Sequence, residues 1–242
     1  MGAEKFAADG TRVGPGKGVR LLVWGGFPVA GAVCGGVLWA LADWLEELRW
    51  KPMRPLFKLL DALSEPVGLV GFAVLGVLAG GVVALLAESE YVTVDVSDDE
   101  VVCTRDGKAR TLERQAISGV FVDDGRLVFL GHGAEELAVY SRREGADLPG
   151  AERLAAALQA HGYPWLPDGD PHRNEYRRWV PGLPGLPEGA NELLQARERA
   201  LRDGDKEEIA QLRGELARLG VVVRDDGNKR QFCRPARPRL DA

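Results

Sequence analysis

The stretch Gly204–Arg234, GDKEEIAQLRGELARLGVVVRDDGNKRQFCR, carries the signals of a complete small fold. Asp205 is a favourable helix N-cap residue, and Glu208 follows it at the spacing of a capping box. The apolar face of the predicted helix is formed by Ile209, Leu212, Leu216 and Leu219. Gly220 is a typical helix stop. The letters VVVRD and KRQFCR then predict two short strands joined by a turn.

A second helix is predicted directly upstream, over Ala190–Asp203, with Gly204 as its stop. The two helices form a hairpin, and the apolar face of each must be covered by the other helix and by the strands. Residues 190–235 are therefore predicted to be a small domain made of a helical hairpin and a β-hairpin. Residues 164–189, which are rich in proline and glycine, are predicted to be a linker in front of it.

Residues 190–235 resemble the C-terminal domain of cysteinyl-tRNA synthetases. The matching positions are Ala196-Arg197, Ala210, Leu212-Arg213, Leu216, Gly220-Val221-Val222-Val223-Arg224-Asp225 and Arg234. In that family the segment helps to read the tRNA anticodon, so the resemblance implies an RNA-binding module. The family pattern usually ends in Trp-Arg, whereas this chain has Phe232-Cys233-Arg234, which departs from it at the position that would stack on a base.

Six cations of this domain are the candidate contacts to a macromolecular partner. They are Arg197, Arg213, Arg224, Lys229, Arg230 and Arg234. If the partner is tRNA or another RNA, these side chains bind phosphates and the binding is strongly salt-dependent. The alternative is a membrane-anchored interaction or scaffolding module for a cytoplasmic protein, with no RNA binding, because Glu207, Glu208 and Glu215 would repel phosphate.

The catalytic half of a synthetase is missing from this sequence. We find no HIGH-type signature, no KMSKS-type loop and no glycine fingerprint of a dinucleotide-binding fold. The three cysteines, Cys34, Cys103 and Cys233, are widely spaced, and the three histidines lack metal-ligand spacing. The formal net charge of -5 does not suggest nucleic-acid binding by the whole chain. We therefore predict a protein that is not an enzyme and that uses no metal or cofactor.

Two long apolar runs precede these elements, at residues 21–42 and 66–87, and neither contains a charged side chain. As helices each would span roughly 33 Å, enough for the hydrocarbon core of a bilayer. We interpret them as transmembrane helices, with an N-terminal arm at residues 1–20 and an interfacial loop at residues 43–65. The alternatives are two buried helices of a soluble core, or a signal peptide for the first run.

The flanking Lys and Arg residues slightly favour termini in the cytoplasm, so we expect a multi-pass protein of the cell membrane, in contact with the lipid bilayer. Both runs carry small residues at four-residue spacing, which lets helix backbones approach closely. These are Gly31 and Gly35 in the first run, and Gly76, Gly80 and Ala84 in the second. Packing of the two spans on each other is the simplest use, and homodimerisation is the alternative.

The middle of the chain, residues 90–163, changes to the period-two alternation of β-strands. The dipeptides Asp106-Gly107 and Asp124-Gly125 predict tight hairpin turns. A helix follows, with Leu154 and Leu158 on one face and Gly162 as its stop. Several antiparallel strands and one C-terminal helix resemble a pleckstrin-homology-like (PH-like) β-barrel. A lipid headgroup or a peptide is the ligand that such a domain implies, and the sequence leaves both open.

The order of these parts is similar to that of actinobacterial membrane proteins of the YqeB family. The predicted fold is a multi-domain α+β membrane protein, with a transmembrane hairpin, a PH-like barrel with its helix, and the small C-terminal domain. The predicted function is that of a non-enzymatic integral membrane protein whose cytoplasmic modules bind a macromolecular partner.

Overall fold

The computed structural model describes residues 10–47, 65–226 and 229–236. The chain divides into two compact units, of which residues 15–91 form one and the rest of the chain forms the other. Most of the predicted interfacial loop, and residues 1–9 of the N-terminal arm, lie outside the described residues.

The unit of residues 15–91 is a pair of helices, α1 (Lys17–Glu47) and α2 (Glu65–Ser89). Within them, Leu21–Leu38 and Gly68–Ser89 are apolar and long enough to cross a membrane. Leucine and valine side chains along both helices are exposed. An apolar surface of this size needs a cover of lipid or of protein.

Small residues line the contact between the two helices. Gly31 and Gly76 lie so close together that a Cβ atom on either would collide with the backbone carbonyl of the other. A Cβ atom on Gly35 or on Gly80 would likewise collide with a backbone carbonyl of the opposite helix, and Ala84 is fully buried. Only glycine permits this approach, because the collision is with backbone atoms that cannot move aside as a flexible side chain does.

The middle module consists of two antiparallel sheets and one helix. Its first sheet contains, in spatial order, β1 (Thr11–Val13), β2 (Thr93–Val96), β3 (Glu100–Arg105) and β4 (Lys108–Glu113). Its second sheet contains β5 (Ile117–Asp123), β6 (Arg126–Gly131) and β7 (Glu136–Ser141). Helix α3 (Ala151–Ala160) follows, and its Leu154 and Leu158 are fully buried in the apolar core of the module.

The two predicted hairpin turns are present, and their backbone angles explain their sequences. Asp106 and Gly107 join β3 to β4 with φ angles of 52° and 69°. Asp124 and Gly125 join β5 to β6 with φ angles of 49° and 70°. Two successive positive φ angles are the mark of a type I′ turn, which Asp-Gly tolerates and which matches the twist of the flanking strands.

The predicted closure of these strands into a barrel is wrong. Within the described residues the strands form two separate sheets, and no ladder joins β4 to β5 or β1 to β7. The 3₁₀ turn Arg114–Ala116 separates β4 from β5 and carries the chain from the first sheet to the second. Strand β1, which the sequence did not predict, pairs with β2. Strands β4 and β7 each have one neighbouring strand among the described residues and are therefore sheet edges.

The C-terminal module contains a helical hairpin packed on a small sheet. Its helices are α4 (Ala190–Asp203) and α5 (Lys206–Arg218). Its sheet has the order β8 (Arg177–Arg178), β10 (Gln231–Pro235) and β9 (Val221–Asp225). Because β8 comes from the predicted linker, the predicted β-hairpin is the larger part of a three-stranded sheet. Trp179, next to β8, is buried in the core of this module.

The N-cap of α5 is formed as predicted, but the capping box is only half made. Asp205 Oδ1 accepts hydrogen bonds from the backbone N–H groups of Glu207 and Glu208, at 3.1 and 3.0 Å. The backbone N–H of Asp205 donates to the carbonyl of Ala200 at 3.1 Å. That N–H is therefore already satisfied by the end of α4, which ties the two helices together at their connection.

Candidate binding site between the middle and C-terminal modules

Arg197, the first of the six candidate cations, is fully buried inside the C-terminal module. Its guanidinium donates to both carboxylate oxygens of Asp225, at 2.5 and 2.6 Å, and to Gln231 Oε1 at 2.9 Å. Gln231 in turn donates to the backbone carbonyl of Leu194 at 2.8 Å. This bidentate pair joins α4 to both strands β9 and β10, so Arg197 holds the module together and presents no surface to a partner.

Arg234 is also buried, with 1% of its surface exposed. Its guanidinium carbon lies 5.3 Å from the centroid of the Tyr176 ring, in a cation–π arrangement. Its Nε and Nη2 atoms are buried and have no hydrogen-bond partner within the described part of the chain. The Tyr176 hydroxyl lies 3.5 Å from Glu136 Oε1 in the middle module. Burial raises the pKa of Tyr176, with a further contribution from the Glu136 carboxylate.

Arg213 and Arg224 both reach the middle module. Arg213 makes a bidentate ion pair with Glu144, with one oxygen–nitrogen distance of 3.1 Å. Arg224 lies between two turn carboxylates, 3.5 Å from Asp123 and 3.4 Å from Asp124. These pairs fix the C-terminal module against the middle module, since each joins side chains that are far apart in sequence.

Arg143 of the middle module makes the reciprocal contact. It donates to the backbone carbonyl of Asp225 at 2.6 Å and to the carboxylate of Asp124 at 2.9 Å. Arg213, besides its pair with Glu144, lies 3.9 Å from the Asp225 carboxylate. Asp225 therefore connects the buried Arg197 to the junction between the modules.

The last two candidate cations lie on the surface near the β9–β10 turn. Arg230 pairs with Asp226 at 2.6 Å. Lys229 donates to the backbone carbonyl of Arg202 at 3.1 Å. The structure thus brings Arg197 and Arg213 together around Asp225 and leaves Arg234, Lys229 and Arg230 elsewhere. The six residues do not form one continuous cationic surface.

A cleft of about 610 Å³ lies between the two modules. The middle module contributes the β3–β4 hairpin and β7, and the C-terminal module contributes α5 and β9. Four cations line the cleft, and they are Arg105, Lys108, Arg110 and Arg213. Three carboxylates also line it, and they are Asp106, Glu136 and Glu144. The remaining lining residues are mostly alanine and valine, so the cleft has a small apolar floor and a charged rim.

The carboxylates of the cleft are already paired. Glu136 accepts from Arg126 at 2.8 Å inside the middle module, and Asp106 lies 3.7 Å from Arg105. Burial alone would lower the pKa of Arg126, but the Glu136 carboxylate and the Tyr176 hydroxyl together raise it, so the pair stays ionised. Glu144 is held by Arg213, as described above. The acidic side chains of the cleft are therefore neutralised by cations within the protein.

Two of the cations are free of such pairing. The Lys108 and Arg110 side chains make no ion pair within the part of the chain that the structure describes, and both are exposed on β4. The Nε atom of Arg213 is buried and has no hydrogen-bond partner there, whereas Arg105 Nε lies 3.7 Å from the Asp106 carboxylate. The cleft therefore keeps a surplus of positive charge.

The potential metal ligands and two of the thiols can be located within the described residues. Within the described residues, no group of three His, Cys, Asp or Glu side chains lies close enough to hold a metal ion. Burial raises the pKa of Cys103 to about 12 and raises that of Cys233 as well. A buried thiol with a raised pKa is a poor nucleophile, because the thiolate is the reactive form.

Sequence reasoning missed the carboxylates that engage the candidate arginines. They are Asp123, Asp124, Glu144, Asp225 and Asp226. The Asp-Gly turn explains Asp124 by its backbone alone, and no spacing in the sequence links Glu144 to Arg213. No sequence signal links the β4 cations Lys108 and Arg110 to the C-terminal module, and only the folded chain shows that this module faces them.

Two parts of the chain match known families. Residues 11–166 match a family described as YqeB-like bacterial PH domain, and residues 183–234 match the cysteinyl-tRNA ligase anticodon binding domain. The class of protein is thus a PH-like module joined to an anticodon-binding-like module, as the sequence predicted. This chain belongs to the YqeB-like family. It is 34% identical to YqeB of Bacillus subtilis (strain 168) over 226 residues, which cover 93% of this chain and 92% of that protein.

No solved structure matches the chain. Both matched families are described by PH and anticodon-binding domains, and neither description names a catalytic domain. An actinobacterial origin stays a prediction.

Proposed function

We propose that this chain is a non-enzymatic integral membrane protein that docks a cytoplasmic protein. Helices α1 and α2 cross the cell membrane, and the middle and C-terminal modules together form the docking body. The length and apolar surface of the two helices support the anchor. The two matched domains, each of a binding type, support the docking role.

The state of the candidate cations is the observation that carries the choice of a protein partner over RNA. Arg197, Arg213, Arg224 and Arg230 each pair with a carboxylate of the chain. Arg234 is buried. A phosphate would have to displace these carboxylates, and for the buried Arg197–Asp225 pair this costs about 3–5 kcal/mol. The arginines of the anticodon-binding-like module are thus committed to its own fold and to its junction with the middle module.

The experiment compares RNA and protein on the same preparation. Full-length chain in detergent is titrated with total tRNA at low salt, and cells are crosslinked so that RNA and protein are identified from one sample. We expect no salt-sensitive tRNA binding and a specific crosslinked protein. The proposal fails if tRNA binds, if its affinity falls linearly with log salt, and if Lys229→Glu with Arg230→Glu weakens it.

The small-residue contact supports a hairpin within one chain and not a dimer through these helices, because Gly31 and Gly76 already face each other.

Both termini are proposed to lie in the cytoplasm. Tags placed at Pro52 and at Ala242 test this assignment in intact cells. We expect the first to be labelled from outside and the second to be protected, and the opposite pattern overturns it.

A further inference from the structure

The cleft between the two modules is bordered by three sheet edges. Strand β4 pairs only with β3, β7 only with β6, and β9 only with β10 within the described residues. Each is the last strand of its sheet on the side of the cleft. Edge strands carry unpaired backbone N–H and C=O groups and are templates for the addition of another strand.

The lining residues indicate that the strand edges themselves face the cleft. Residues 108–110 of β4, 138–140 of β7 and 221–223 of β9 all line it. Successive side chains of a strand point to opposite faces, so three consecutive residues meet one cavity only when the backbone edge borders it. Apart from the ladders, no backbone hydrogen bond in the described part of the chain involves these nine residues.

The floor of the cleft has room for the side chains of a bound strand. Its lining includes the small residues Ala109, Ala138, Ala210, Gly214 and Ala217. A Cβ atom added at Gly214 would meet nothing within 4 Å. The space above α5 is therefore open, and small or β-branched apolar side chains of a bound segment fit it.

The charge of the rim favours acidic side chains at the remaining positions of a bound segment. Lys108 and Arg110 have no ion pair among the described residues, and the Nε atom of Arg213 is buried without a hydrogen-bond partner there. The carboxylates of the rim are neutralised by Arg105, Arg126 and Arg213. A partner with acidic side chains gains ion pairs here, whereas a basic partner meets unopposed cations.

We infer that this cleft binds an extended acidic segment of the partner protein by strand addition to an open edge, with Lys108 and Arg110 pairing with its carboxylates. This inference rests on the proposed docking function and names its site and ligand. The main-chain hydrogen bonds supply affinity, and the alternating acidic and apolar side chains supply specificity.

The test uses full-length chain in detergent and a fluorescein-labelled octapeptide of alternating glutamate and valine. The control peptides carry lysine in place of glutamate, or proline in place of the two central valines, which removes backbone donors. We expect fluorescence anisotropy to show at least about tenfold tighter binding of the glutamate peptide than of either control. Equal affinities for the three peptides, or no binding of the glutamate peptide, overturn the inference.

Two pairs of variants locate the site. Lys108→Glu with Arg110→Glu is expected to weaken the glutamate peptide at least about tenfold, while Lys206→Glu, an exposed cation outside the cleft, leaves it unchanged. Gly214→Trp fills the open space and abolishes binding, while Gly214→Ala, at the same position, retains it. Equal losses within either pair place the peptide elsewhere and overturn the inference.

The failure of this inference is distinguishable from failure of the proposed function. If the crosslinked cellular protein is recovered equally with Gly214→Trp and with Gly214→Ala, docking stands and the cleft is not its site. If tRNA displaces the labelled peptide and no protein is crosslinked in cells, the docking function itself falls.

Discussion

This chain holds its parts together in two different ways. The contact between α1 and α2 is made by small residues, and Gly31 and Gly76 bring two backbones together. The C-terminal module and its junction with the middle module are held by arginine–carboxylate pairs, of which Arg197–Asp225 and Arg213–Glu144 are examples. The difference follows from the residues that each contact has available. Small residues let apolar helices approach closely, as α1 and α2 are proposed to do within a bilayer, whereas bidentate arginine–carboxylate pairs join segments that carry opposite charges.

The two kinds of contact are sensitive to different changes. A gain in side-chain volume disrupts the helix contact, because no atom can yield. A loss of charge disrupts the arginine network, because each carboxylate is left without its cation.

The largest effect is expected for Arg197→Ala. It leaves the Asp225 carboxylate and the Gln231 amide without their buried partner, at a cost of about 3–5 kcal/mol in the stability of the C-terminal module. Pulse proteolysis of full-length chain in detergent over a urea series measures this loss. The matched control is Arg199→Ala, two residues away on α4, where the side chain is not buried. A loss below about 1 kcal/mol for Arg197→Ala would show that the buried pair is not what holds the module.

The next effect is expected for Gly76→Leu, which places a side chain against the Gly31 backbone. Overpacking of this kind costs about 1–3 kcal/mol or separates the helices. Resistance of α1 and α2 to unfolding in increasing SDS measures it. Gly71→Leu is the control, because a Cβ atom at Gly71 meets nothing within 4 Å. If both variants behave alike, the close approach of the two helices does not stabilise the hairpin.

A smaller effect is expected at the junction of the modules. Arg213→Gln, Glu144→Gln and the double variant form a cycle with an expected coupling energy of about 0.5–3 kcal/mol. The coupling should shrink in 1 M salt, because the pair is only partly buried. Hydrogen exchange of β9 in full-length chain reports the opening of the junction. Additive single effects at low salt would contradict the assigned pair.

The smallest effect is expected for the two buried thiols, which should be protected from alkylation in the folded chain. In a Cys34→Ser background, Cys103 and Cys233 are buried thiols with raised pKa values, that of Cys103 reaching about 12. Because the folded-state pKa is raised, both thiols stay neutral at pH 8. Alkylation, which requires the thiolate, is therefore slow until the chain unfolds. Labelling with iodoacetamide at pH 8, with and without urea, measures this. Rapid labelling of the folded chain would contradict the burial of both thiols.

Local signals explain what could be predicted. Helix α4 occupies Ala190–Asp203 as predicted, because Gly204 adopts a φ of 76° that ends a helix whatever surrounds it. The two Asp-Gly turns adopt positive φ angles for equally local reasons. The PH-like module was predicted from a resemblance in the order of such elements, and the anticodon-binding-like module from a resemblance in matching residues; the family matches confirm both.

Contacts between distant segments explain what could not be predicted. Strand β1 pairs with β2 although the whole helical unit lies between them in the sequence. Three residues of alternation are too few to predict a strand. Strand β8 is two residues long and depends on β10 for its hydrogen bonds. The open barrel also depends on where the turn Arg114–Ala116 directs the chain, and strand periodicity carries no information on that direction.

The sequence by itself determined the kinds of element, their order and the presence of two long apolar helices, because these depend on periodicity, turn residues and length. Only the tertiary structure decided what the arginines do. Arg197, Arg213 and Arg224 were candidates for RNA phosphates by their charge, and in the folded chain each pairs with a carboxylate. An ion pair depends on a distance of a few ångströms in space, and sequence separation does not encode it. For the same reason the cleft beside Lys108 and Arg110 became visible only when the two modules were seen together.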